Sequence, residues 1–300
     1  MNCRTGIPPG SVENLEQLTL EVRRDIDREY LARADRFIRR SVAADKPFYV
    51  YFNHSMLHLP TVPRDEFKGM SGAGEWADCL LEMDGDFGTL LDLLDELGIA
   101  DKTIVVFAGD NGPEDTLPWR GTSGFWEGSY FTGMEGSLRT PCLIRWPGHV
   151  APGRVSNEIV HVTDMFTTLI RWAGCDVPND RVIDGVDQDP FFRGVQEQSN
   201  RQGFLFWNGD KLYGVKWQNF KTVFVEQRYF SDASPPYANP RIINLLTDPK
   251  EREPVDSPHL HTWVVAHFTR LIAQFQASVK REPLIPFGAP LDFIPAPSVE

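Results

Sequence analysis

The sequence predicts an α/β protein: a mostly parallel sheet flanked by helices, then a small C-terminal antiparallel sheet plus a helix. Two observations carry this expectation. Up to about residue 175, long helical patterns alternate with short continuous apolar runs, as in strands buried on both faces. After about residue 195 the texture changes to short strands separated by turns, followed by one more helical pattern. The expected organisation is therefore a larger α/β portion over residues 1–195 and a smaller α+β portion over 196–300 with a Pro-rich tail.

The elements follow in order. Residues 13–42 read as a helix, with Leu18, Val22, Ile26 and Ile38 near a helical period and Ser11 as its expected N-cap. "KPFYVYFNH" reads as a strand over 47–53, opened by Pro47. "EWADCLLEMDGDFGTLLDLLDELGI" predicts a helix over 75–97, stopped by Gly98. "KTIVVFAGDNG" gives the next strand, 103–108, expected to lie in the same sheet as 47–53. "SLRTPCLIRWPG" is another apolar strand closed by Pro147 and Gly148, and "HVTDMFTTLIRWAGC" a helix capped by Thr163. "GFLFWNG", "KLYGVKWQNFKTVFVE" and "RIINLLTD" predict an antiparallel sheet within 203–246, with a helix over 261–279 beside it. The last 20 residues are Pro-rich and expected to be irregular.

Composition narrows the function. The net charge is −12, from 30 basic and 42 acidic residues, which argues against nucleic acid as a partner. An anionic substrate would need a local cationic cluster. Cys3, Cys79, Cys142 and Cys175 are scattered with no CxxC pair, so neither a zinc site nor a redox dithiol is expected. The last three lie among apolar residues and are expected to act as small core side chains. No apolar run approaches the roughly 20 residues needed to span a bilayer, so no membrane association is expected. The first residues lack a basic and then apolar leader, which implies a cytoplasmic protein by default, or a periplasmic or extracellular one if the natural N-terminus lies upstream.

Chemistry concentrates at strand ends. "TIVVFAGDNGPE" runs an apolar strand into a turn that carries Asp110 and Asn111 between two glycines. In open α/β sheets, ligands bind outside the carboxyl ends of strands. A carboxylate beside an amide carbonyl suits a hard cation such as Ca²⁺ or Mg²⁺. An ordinary Asx-turn is the competing reading. The end of the 47–53 strand carries Asn53, His54 and His58, and imidazole can hold an anion or pass a proton. A core histidine is the alternative there. The Gly-rich, aromatic loop over 118–134 is long enough to be functional.

The segments "KPFYVYFNHSMLHLP", "EMDGDFGTLLDLLDELGIADKTIVVFAGDNG", "EGSLRTPCLIRWPG", "EIVHVTDMFTTLIRWAG" and "DGVD", in that order, resemble the sulfatase family of the alkaline-phosphatase superfamily. "INLLTDPKE" is similar to part of the small sheet domain that follows in arylsulfatases. The resemblance implies an alkaline-phosphatase-like fold and hydrolysis of a small-molecule sulfate ester. It implies a Ca²⁺ or Mg²⁺ ion and a formylglycine nucleophile made from Cys or Ser. It places Asp110 and Asn111 on the second pair of metal ligands, and His58 on the histidine that contacts the sulfate and protonates the leaving oxygen.

The chain departs from the family in two ways. No Cys or Ser here is followed by x, Pro or Ala, x, Arg, so the nucleophile motif is absent. The first metal-ligand pair of the family is expected ahead of residue 1. The resemblance therefore implies a sulfatase that begins roughly halfway, probed by looking for an upstream Cys-x-Pro-x-Arg segment. Such a chain is expected to be inactive alone and to need a missing N-terminal fragment. Tyr130 stands where many arylsulfatases have a lysine, with Arg120 and Arg139 as other cations nearby in sequence. A phosphodiester or phosphonate monoester hydrolase of the same superfamily, or a non-catalytic fragment, are the alternatives.

Overall fold

A computed structural model describes residues 2–7, 11–253, 261–286, 288–290 and 293, with side chains from residue 17 onward. The chain divides into two compact units, one of Met1–Ala108, Pro113–Thr122 and Cys142–Trp146, the other of Gly109–Gly112, Ser123–Pro141 and Pro147–Glu300. Among the described residues no helix is long and apolar enough to cross a membrane.

The first unit opens with an antiparallel hairpin, β1 (Asn2–Ile7) and β2 (Ser11–Gln17). Helix α1 spans Leu20–Ala43. The helix expected from residue 13 thus starts seven residues later, and Ser11 does not cap it. Pairing with β1 overrides the helical propensity of residues 13–17. Thr19 is the N-cap instead: it lies in the extended region and its side chain accepts the Val22 N–H at 3.3 Å. Helix α2 (Glu75–Glu96) matches the sequence reading, and Gly98, at φ 66°, ends it as expected.

The α/β architecture holds, but the strand pairing differs from the expected parallel sheet. β3 (Val105–Ala108) pairs antiparallel with β4 (Cys142–Arg145), with Val106 opposite Ile144. Residues 47–53 form no strand ladder. Their burial nevertheless alternates with a period of two: Phe48, Val50 and Phe52 are partly buried while Tyr49 and Tyr51 are 80% and 79% exposed. Phe48 and Val50 pack on the same core as Val105, around Ile38, Leu93 and Leu94. The segment therefore has the facing of a strand. What it lacks, among the described residues, is a hydrogen-bonded neighbour, and a strand is defined by that neighbour.

The second unit contains the short helix α3 (Glu135–Leu138), α4 (Val162–Trp172), α5 (Asp189–Phe192), strands β5 (Gly203–Asn208), β6 (Lys211–Trp217), β7 (Phe220–Val225) and β8 (Pro236–Asn244), and α6 (Thr262–Arg281). The cap of α4 is His161 rather than Thr163. The His161 ring accepts the Thr163 N–H, and Asp164 accepts the His161 N–H at 2.9 Å, closing a capping box. The four strands form one antiparallel sheet in sequential order, as the alternating patterns predict.

One face of that sheet, through Val215, Trp217 and Ile242, packs against Val264 and Phe268 of α6. Trp217 stacks on His267 with ring centroids 3.8 Å apart. The opposite face carries Phe206, Tyr213 and Val225, with Leu138 packed against them. Cys79 is buried as expected, and burial with nearby Glu82 and Glu75 pushes its thiol up to about 12. Cys142 and Cys175 are exposed, contrary to the core role their apolar neighbours suggest. Cys142 falls at the exposed end of β4, and Cys175 follows the α4 terminus. The Cys3 side chain and half of the Pro-rich last 20 residues lie outside the described residues.

Phe268 is the test of the sheet–helix core. Truncating a buried aromatic typically costs about 3–5 kcal/mol, so Phe268→Ala should lower urea stability by that order, read by fluorescence of the tryptophans. A loss below about 1 kcal/mol would show that this face is not a packed core.

Candidate functional site

In the first unit the candidate group is built on α1. Arg23 and Asp27, four residues apart, share one helix face. The fully buried Asp27 carboxylate accepts the Ser55 N–H at 3.0 Å and the Ser55 hydroxyl at 2.9 Å. Arg23 donates to the carbonyls of Ser55 at 2.6 Å and His58 at 2.7 Å. These bonds fasten residues 55–58 to the helix and leave the His58 side chain 71% exposed. A core histidine is thereby ruled out at this position. Its Nδ1 lies 2.7 Å from the Leu59 carbonyl, an acceptor, so that nitrogen carries the proton. Nε2 faces Glu114 Oε1 at 3.7 Å and is the nitrogen left to exchange a proton.

His54 has a different environment. It is 9% exposed, with Nδ1 3.1 Å from Asp27 and Nε2 3.2 Å from Asp86. Asp86 also accepts from Arg64 at 2.7 Å, and Arg64 pairs with the buried Glu82. Burial opposes ionisation of Asp86, but hydrogen bonds from His54 and Arg64 hold it below the usual carboxylate range. At Glu82 burial prevails and raises the carboxyl. His54 is thus a buried cross-link between α1 and α2, not part of an open strand end with His58.

In the second unit, Asp110 and Asn111 are both exposed on a tight turn. Asp110 Oδ1 accepts the Asn111 N–H at 2.9 Å, and the Asn111 side-chain amide donates to Gly112 O at 2.9 Å. Among the described residues no donor is recorded on Asp110 Oδ2 or Asn111 Oδ1. The turn is held at both ends: Gly109 N–H donates to Pro141 O at 3.1 Å and Gly112 N–H to Ser137 O at 2.8 Å. A Cβ at Gly112 would sit 1.8 Å from Gly136 O, so only glycine permits this approach. The two open oxygens, one charged and one neutral, fit the donor chemistry of Ca²⁺ or Mg²⁺. Two donors are short of a full shell, and the described residues hold no group of three or more His, Cys, Asp or Glu able to ligate an ion.

Two cations of this unit lie deeper. Lys216 on β6 and Lys221 on β7 are direct cross-strand partners, and both side chains are buried. Glu135 stands between them, 2.5 Å from Lys216 and 3.5 Å from Lys221, and also accepts from Arg139 at 2.6 Å. Glu251 completes the group, accepting from Lys221 at 2.9 Å and from the Glu135 N–H at 2.6 Å. Burial opposes the Glu135 charge, but Lys221, Lys216 and Arg139 hold its pKa down at about 2. Burial lowers Lys216 to about 8, against the pull of Glu135. Arg139 is committed here and stacks 3.9 Å from the Trp126 ring centroid; Arg120, which belongs to the first unit, pairs with Asp115. Tyr130 packs with Phe131 and Phe230. The sequence reading missed Lys216, Lys221 and Glu251. The available signal was the pair "VKW" and "FKT", each a lysine set inside an apolar strand.

The chain is similar to known proteins along most of its length. A sulfatase family model matches residues 7–175, and a model described as N-sulphoglucosamine sulphohydrolase, C-terminal, matches residues 121–278. Steryl-sulfatase of Mus musculus is 32% identical over 246 residues, covering 73% of this chain and 39% of its own length. Arylsulfatase A of Homo sapiens is 34% identical over 220 residues, covering 71% of this chain and 42% of its own. The chain therefore spans about two-fifths of the length of these relatives. The crystal structure of the PsFucS1 sulfatase from Pseudoalteromonas sp. superposes with a TM-score of 0.87 at 28% identity, covering 95% of this chain and 59% of that one.

The buried charges set a pH dependence. Glu135 has a folded pKa of about 2 against an ordinary 4.5, so its contribution is present above pH 4.5 and is lost as pH falls towards 2. The amount is on the order of 3 kcal/mol. Lys216, lowered to about 8, works in the other window: its contribution rises between pH 8 and the ordinary 10.5. Urea unfolding across pH should show the wild-type chain losing stability below pH 4.5 more steeply than Glu135→Gln. Parallel acid limbs for the two proteins would contradict the assignment.

Proposed function

The chain belongs to the sulfatase family, a family of sulfuric ester hydrolases, and on that premise we propose that it carries one part of a metal-dependent site for small-molecule sulfate esters. The observation that carries the reading is that neighbouring residues Asp110 and Asn111 each keep an open oxygen, on an exposed turn closed by a contact at Gly112 that only glycine permits. These two residues would hold the Ca²⁺ or Mg²⁺ ion. Bound there, such an ion offsets the charge that builds on sulfate oxygens.

His58 is the proton donor in this proposal. With Nδ1–H committed to the Leu59 carbonyl, Nε2 is free to take a proton and deliver it to the leaving oxygen. Arg23 and Asp27 keep the segment in place through Ser55. The exposure of His58 fits a role towards an external group.

No Cys-x-Pro-x-Arg or equivalent serine segment is present in residues 1–300. The proposal therefore assigns the nucleophile and the other ligands to an N-terminal segment outside these residues, in the same chain or as a complementing fragment, and makes residues 1–300 inactive alone. It keeps the organisation read from the sequence, with 1–195 as the C-terminal portion of a catalytic domain and 196–300 as a smaller appended portion. The matched relatives are sulfatases, which favours sulfate over phosphate esters.

Two measurements test the reading. Residues 1–300 with Ca²⁺ should give no turnover of 4-nitrophenyl sulfate above the blank. General acid help from His58 is typically worth only about 10²–10⁴-fold, too little without an activated nucleophile. Metal-dependent turnover that disappears in Asp110→Ala would overturn this. Calorimetry should likewise show no tight Ca²⁺ site, since two donors fall well short of about 6–8. Submicromolar binding lost in Asp110→Ala would reveal ligands beyond the two named.

A further inference from the structure

We infer that Glu135 is a positioning residue for the Asp110–Asn111 turn, transmitting the fixed geometry of the β6–β7 lysine pair to it. The inference rests on the proposed metal role of that turn for its functional meaning, and on contacts within one compact unit for its geometry.

The chain of contacts begins in the sheet. Lys216 and Lys221 face each other across β6 and β7, and like charges directly opposite repel. Both are buried, so solvent does not screen them. The Glu135 carboxylate is the acceptor common to both, and this anchors the residue on the sheet face. Its backbone is fixed as well, because the Glu135 N–H donates to Glu251, which itself binds Lys221.

α3 starts at this anchored residue. Gly136 N–H donates to Glu127 O at 2.7 Å, and a Cβ at Gly136 would lie 2.3 Å from Gly128 O. The backbone here is packed on backbone, with no compliant side chain between. The next contact is the functional turn: Ser137 O accepts the Gly112 N–H, and Gly136 O occupies the space where a Gly112 Cβ would be. A shift of Glu135 must therefore move Gly136 and Ser137, and with them Gly112, Asn111 and Asp110. Burial of a charged carboxylate that never reaches the open oxygens is explained by this mechanical role.

Amide hydrogen exchange and Mn²⁺ broadening on the full chain test the inference. Mn²⁺ is the probe because paramagnetic broadening reads even a weak site. In wild type, millimolar Mn²⁺ should broaden the amides of Asp110 and Asn111. Glu135→Gln should raise exchange at Gly109 and Gly112 by at least about tenfold while leaving sheet amides such as Val215 and Ile242 within about twofold, and should weaken the broadening. A merely structural role would instead raise exchange everywhere in proportion. Lys216→Met removes one anchor and keeps Lys221, so it should give the same local pattern at about threefold; it also serves if Glu135→Gln does not fold. Unchanged exchange at Gly109 and Gly112 in the folded variants overturns the inference. Asp110→Ala separates the two ideas: if it leaves Mn²⁺ broadening intact, the metal reading fails, while the exchange data still decide the role of Glu135.

Discussion

One carboxylate between two buried lysines is the constraint on which the second unit depends. Lys216 and Lys221 are directly opposed on adjacent strands, on the sheet face away from α6. Neither can be left buried and unpaired, since breaking such a pair typically costs about 3–5 kcal/mol. Glu135 and Glu251 resolve the conflict, and both come from outside the sheet. A side-chain requirement of two strands thus dictates where residues 123–141 lie. The Asp110–Asn111 turn takes its place from that segment through backbone contacts that tolerate only glycine.

The first unit solves a similar problem with a different set. Asp27, Glu82 and Asp86 are buried carboxylates on two helices, and His54 and Arg64 lie between them. The arrangement ties the helices together and fixes the start of the segment that ends at His58. In both units the exposed candidate side chains are few, and the charges that hold them are hidden. Each unit thereby presents a small polar feature from a rigid support, the arrangement that positioned chemistry requires.

Periodicity made much of the fold legible. α2, α6 and the four-stranded sheet have strong periods of 3.6 or 2, and each appears close to its expected place. The β1–β2 hairpin was hidden, because "SVENLEQ" reads as helix unless its partner strand is known. Residues 47–53 show the converse: the alternating facing of a strand is present, but a ladder is a property of two segments and cannot be read from one. As candidates, Asp110, Asn111 and His58 were legible because their neighbours form recognisable strings. Lys216, Lys221, Glu135 and Glu251 were not, since an isolated charge in a strand is normally placed in solvent. His54 looked equivalent to His58 in sequence, and only the two carboxylates around it distinguish them.

A double-mutant cycle on Glu135 and Lys216 tests the central claim most directly. Urea stabilities of wild type, Glu135→Gln, Lys216→Met and the double variant give the coupling between the two side chains without reference to activity or metal. A buried pair that organises the unit should show a coupling of at least about 2 kcal/mol, with the double variant more stable than the sum of the single losses implies. A coupling below about 0.5 kcal/mol would mean that the two charges act independently and that Glu135 does not hold the segment carrying the turn.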